Sequence, residues 1–146
     1  PVIALVVALH LGYSGYKIVR GSVGGLIDEV DLEALKDLAG AFQKNKEPWV
    51  IDIHQLRVIR SGKFHHVDAH LVVPEYWDVL KTHEEMVDFE KKVVATYPFD
   101  GEIAFHVDPC ERKYCEVCEV SECPVRMKPM TAVRRMSADT LVRGPE

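Results

Sequence analysis

Residues 2–9 (VIALVVAL) form an unbroken apolar run that continues past His10 through LGYSGY and stops at Lys17 and Arg20. The pattern predicts an apolar helix over residues 1–20, read as the C-terminal part of a membrane span. Tyr13 and Tyr16 would then lie at the interface, and the basic pair would place the chain beyond Arg20 on the cytoplasmic side. A start at Pro1 reads as a boundary inside a longer chain. GSVGG (21–25) reads as a joint that opens a linker over 21–30. Leu32, Leu35, Leu38, Ala39 and Phe42 then recur at helical spacing, with acids at the start and Lys44 and Lys46 past the end, so an amphipathic helix is expected.

The period then changes. WVIDIHQLRVIR (49–60) and KFHHVDAHLVV (63–73) flank Ser61-Gly62, which predicts a β-hairpin. In the second strand Val67, Ala69, Leu71 and Val73 share one face, and His66, Asp68 and His70 share the other. Residues 77–97 contain no Pro or Gly and carry apolar residues, Val79 and Leu80 among them, at helical spacing. After Pro98 a short strand is expected, with Ile103, Phe105 and Val107 inward and His106 and Asp108 outward. The order α-β-β-α-β predicts a small α+β sandwich over 31–109: a three-stranded sheet with its helices on one face. Beyond it lie a Cys-rich stretch (110–123) and a tail (124–146) without an apolar period, expected to remain undocked.

The 146 residues suit one domain with appendages, and 47% hydrophobic and 28% charged residues exclude a disordered chain. A net charge of −5 without a Lys/Arg-rich run speaks against nucleic-acid binding. Seven His and four Cys tilt the chain toward metal chemistry. Strand parity puts His70, His106 and Asp108 together on the outer sheet face, and His83 falls early in the second helix. His54 shares parity with Leu56 and Val58, so alternation points it inward; it joins the others only if twist or a bulge re-aims it. Such a set suits Zn²⁺, with other divalent transition metals acceptable. His65 and His66 are read as ordinary structural residues. Cys110-x4-Cys115-x2-Cys118-x4-Cys123 offers four thiolates, the number of a closed zinc site, with an iron–sulfur cluster or free thiols as alternatives.

HQLRVIRSGKFHHVDAHLVV, followed by KTHEEMVDFEKKVVATYPFDGEIAFHVDPC, resembles the cytoplasmic C-terminal domain of cation diffusion facilitator transporters, the zinc/proton antiporters. Upstream, PVIALVVALHLGYSGYKIVRGSVGGLIDE is similar to that family's last transmembrane helix and linker. The resemblance implies a metallochaperone-like (ferredoxin-like) fold and metal ligands at His54, His70, His83, His106 and Asp108. It also implies a binuclear site shared across a homodimer, and a linker charge interlock at Asp28. The departures are Gln55, where an Asp is usual, Glu29, where a basic residue is common, and the Cys extension. The expected role is regulatory and non-enzymatic: a cytoplasmic domain on the inner (plasma) membrane that couples metal binding to efflux. The alternative is a free-standing metallochaperone or metal-sensing module of the same fold.

Overall fold

The computed structural model describes residues 1–26 and 31–143, so Asp28 and Glu29 lie outside the described residues. Helix α1 (Val2–Leu26) opens the chain. Its span Val2–Val23 is long and apolar enough to cross a membrane, and none of its most apolar window is buried within the chain. The stretch expected as a joint is helical as far as Leu26. A helical glycine costs about 1 kcal/mol, which weakens a helix without ending it.

Asp31 starts the folded domain. Its carboxylate accepts from the amides of Glu33 and Ala34, both at 3.0 Å, satisfying two donors that a helix start leaves open. Helix α2 (Leu32–Asn45) buries Ala34, Leu35, Leu38, Ala39, Ala41 and Phe42 along one stripe. Leu32, expected on that stripe, is exposed, because it belongs to the first turn outside the packed face.

Strands β1 (Asp52–Ser61) and β2 (Phe64–Val73) form the hairpin, turning at Gly62 with φ +66°, a conformation open to glycine at little cost. Helix α3 (Val79–Thr96) carries the chain over the sheet to β3 (Asp100–Pro109). The order is β1-β2-β3, antiparallel across the hairpin and parallel between β2 and β3. A parallel neighbour requires a crossover of this kind. The inner face buries Ile53, Leu56, Val67, Ala69, Leu71, Val73 and Ile103 against the helices. Phe42 stacks on Phe89, Phe89 lies beside Phe105, and Trp49 meets Phe89 edge-on.

His65 sits in this core. Arg60 donates to its Nε2 at 3.1 Å, and its Nδ1 lies 2.6 Å from the Tyr97 hydroxyl. The α3 stripe starts later than expected: Phe89 and Val93 are buried, whereas Val79 and Leu80 are 87% and 67% exposed.

The tail does dock. The Glu116 carbonyl accepts from the amides of Thr131 and Ala132, the Met136 amide donates to Gln43 Oε1 at 2.9 Å, and the short helix α4 (Ala138–Val142) packs on β1 and α2. Met136 and Leu141 enter the main core. Two well-placed apolar residues and a few polar ties suffice to hold it, and no continuous apolar period is needed.

Candidate metal centre

The site begins with an irregularity in β1. His54 pairs with His70, and Arg57 pairs with Asp68, so Gln55 and Leu56 together face the single residue Ala69. This is a β-bulge, and Gln55 takes φ +51° to make it. The extra residue inverts the parity of everything before it. Ile53 faces the core on one side of the bulge, and Leu56 faces it on the other. His54, next to Ile53, is therefore turned to the outer face, the re-aiming that simple alternation required.

On that face the three strands place their imidazoles in a row. His54 stacks on His70 with ring centroids 5.4 Å apart, and His70 stacks on His106 at 5.2 Å. Asp108, opposite Val72 at the end of β3, reaches across: its Oδ2 lies 2.8 Å from His70 Nδ1 and 3.9 Å from His54 Nε2. Among the described residues, His54, His70 and Asp108 are the one group of three or more His, Cys, Asp or Glu whose ligand atoms all lie within 4.8 Å of one another. Zinc bound to nitrogen and oxygen at about 2.0–2.2 Å holds its ligands about 3.3–3.5 Å apart. Small side-chain movements close this set around an ion, so the residues fit one.

The site is supported from behind. His54 Nδ1 faces Asp52 Oδ2 at 3.3 Å, both buried, and among the described residues neither atom has a hydrogen-bond partner. A proton on Nδ1, turned toward Asp52, would serve both and leave Nε2 free on the side of Asp108, the tautomer a metal needs. Asp52 is fully buried and also paired with Arg134 from the docked tail. Burial pushes the Asp52 carboxyl above its ordinary value, and Arg134 pulls it back. Strand parity does not single out Asp52 as a positioning residue; the signal available was a carboxylate two residues before a ligand-type His, on the same strand face.

The remaining expected ligands stand apart. His106 is exposed beside His70, outside the tight group. His83 is exposed on α3, along a groove it shares with Trp77, Val79, Val107 and Pro109. Val107, expected inward, is 39% exposed and lines the same groove, because β3 runs past the end of the packed face there. The centre opens on a hollow of about 380 Å³, where Tyr114 stands beside His54 and Asp108.

Residues 28–110, more than half of the chain, match the family model described as the cation efflux protein cytoplasmic domain. The chain belongs to this family. No curated protein matches the sequence. Among solved structures, one from work on the mode of action of CzrB, named there as a candidate zinc transporter, aligns at TM-score 0.50 and 21% identity. It covers 56% of this chain and 99% of that one. The zinc form of CzrB aligns at TM-score 0.50 and 21% identity, over 55% of this chain and 89% of that one. The metal-bound C-terminal domain of the CzcD transporter from Thermotoga maritima aligns at TM-score 0.48 and 22% identity, over 53% and 88%. At these identities the likeness to CzrB is one of fold, and it agrees with the metallochaperone-like α+β sandwich of this cation efflux domain.

Proposed function

We propose that this cation efflux domain senses the divalent metal its transporter exports, zinc first among the ions, by binding it between two copies of itself. His54, His70 and Asp108 would supply three ligands from one protomer. His106 is the neighbouring donor, and His83 completes the shell across the dimer. The observation that carries this reading is the bulge at Gln55, a backbone conformation that disfavours any non-glycine residue and that aims His54 at His70 and Asp108. Three ligands leave zinc one short of its usual four. The exposed Val79 and Leu80 beside His83 offer apolar surface for a second copy to cover.

Metal shared by two protomers attracts them only in the closed arrangement, so binding shifts the pair toward that state and the shift passes to the membrane part. In this reading α1 is the last transmembrane helix, the domain lies on the cytoplasmic side of the plasma membrane, and the domain itself catalyses no covalent chemistry. Zinc titration of the detergent-solubilised chain by calorimetry tests it. The wild type should show a class of sites that depends on His70, and His70→Ala should lower the affinity of that class at least about tenfold, the lower end of what disturbing a metal shell costs. Equal affinity in the two proteins would remove His70 from the site.

A further inference from the structure

The four cysteines come from separate pieces of the C-terminal extension. Cys110 follows β3, Cys115 lies in a 3-10 turn (Arg112–Glu116), Cys118 comes just after it, and Cys123 precedes Pro124. All four line one cavity of about 350 Å³, and all four are free thiols. We infer that this cavity holds a second metal centre, ligated by the four thiolates and separate from the His/Asp site.

The loop is built to hold them there. The Cys110 amide donates to the Val73 carbonyl at 2.8 Å, which pins the first cysteine to the sheet. The Arg126 guanidinium clasps the carbonyls of Cys115 and Cys118, each at 3.0 Å, and also that of Val120, so the central pair is held from behind. Cys110 and Cys118 pack with Tyr114 over Ile51 and Val72, in a small apolar cluster apart from the main core. Arg112, Arg126, Glu75 and Glu111 also line the cavity, and their charges cancel. A bound cation would take the place of the thiol protons and offset the repulsion among the four thiolates so formed.

Two thiophilic groups share this chemistry. The Cys115-x2-Cys118 core is a zinc-type clasp, and closing four sulfurs on one zinc brings them to about 3.8 Å from one another. No three of the sulfurs lie within 4.8 Å of one another, so zinc requires an inward turn of the side chains. An iron–sulfur cluster spreads its ligands wider, and Cys110-x4-Cys115-x2-Cys118 repeats the plant-type ferredoxin spacing. Tyr114 stands between this cavity and the hollow of the His/Asp centre, so the two centres share a wall and no ligand.

The test uses the full chain purified in detergent under anaerobic conditions without added metal. Zinc, iron and acid-labile sulfide are counted in the wild type, in His70→Ala, and in a chain carrying both Cys115→Ser and Cys118→Ser. Circular dichroism checks each protein for folding. The expected result is a metal centre that persists in His70→Ala and is lost from the double variant. Zinc without sulfide identifies a mononuclear site; iron with sulfide and visible absorption near 400 nm identifies a cluster. Should the double variant not fold, titrating the wild-type thiols with a mercurial reports instead, and the metal should leave in step with thiol modification. A wild type without zinc or iron, a folded double variant that keeps the wild-type metal content, or metal release unconnected to thiol modification overturns the inference.

Discussion

Two buried side chains show how single residues set the behaviour of this domain. Asp52 lies behind His54, its Oδ2 3.3 Å from Nδ1, where a proton on that nitrogen would leave Nε2 for a metal. Asp52→Asn removes the charge while keeping the shape, and also weakens the tie to Arg134. Zinc affinity should fall about 10–100-fold, the usual cost of disturbing such a support, while circular dichroism stays unchanged. Calorimetric titration checks this, and an unaltered affinity would mean that His54 is oriented by something else. His65 acts on stability instead. Burial, then the Arg60 charge, hold its imidazole below the ordinary value. The unfolded chain therefore takes up a proton, as pH falls past about 6.5, that the folded chain refuses. Its stabilising contribution is complete above that pH and is lost progressively below it. Denaturation midpoints measured with chelator between pH 7.5 and 5 should fall with pH, and the slope should be shallower in His65→Gln.

At the scale of elements, β3 approaches β2 closely at one glycine, and the candidate site depends on an interruption in β1. Gly101 stands opposite His65, and a Cβ there would meet the His65 carbonyl oxygen at 2.5 Å. Gly101→Ala must push β3 off β2 and should cost about 1–3 kcal/mol in a denaturant series; a change within about 0.5 kcal/mol would show that the strands shift freely. Most of the elements were legible in the sequence, because their patterns are two-valued. The period-2 alternation of Val67, Ala69, Leu71 and Val73 and the stripe Leu35, Leu38, Ala39, Phe42 each have one way to face a core. The outer positions of His70, His106 and Asp108 followed from the same alternation. The orientation of His54 did not, because it depends on one unpaired residue, and Gln55 carries no glycine to announce a positive φ. The docking of the tail was equally hidden: it rests on Met136 and Leu141 and on the Arg134–Asp52 pair, which are side-chain meetings across long stretches of chain.

The whole molecule divides its surfaces by task. One sheet face is spent on the core with α2, α3 and α4. The other face carries the His/Asp centre and, at its end, the Cys loop, whose Tyr114 and Cys118 cover Ile51 and Val72. The tail links the two, since Glu116 in the loop holds Thr131 and Ala132, and Arg134 a few residues on holds Asp52 behind His54. The proposed completion of the site by a second copy of the domain rests on the three-residue ligand set on an open face and on the exposed Val79 and Leu80. Sharing of metal between two copies is tested most directly by sedimentation velocity of the full chain in detergent, run with chelator and then with zinc, for the wild type and for His83→Ala. Zinc should shift the wild-type population toward a more compact or more tightly associated dimer, chelator should reverse the shift, and His83→Ala should respond to zinc weakly or not at all. A sedimentation profile unaffected by zinc and by chelator, or a full zinc response in His83→Ala, would contradict a metal site shared between protomers.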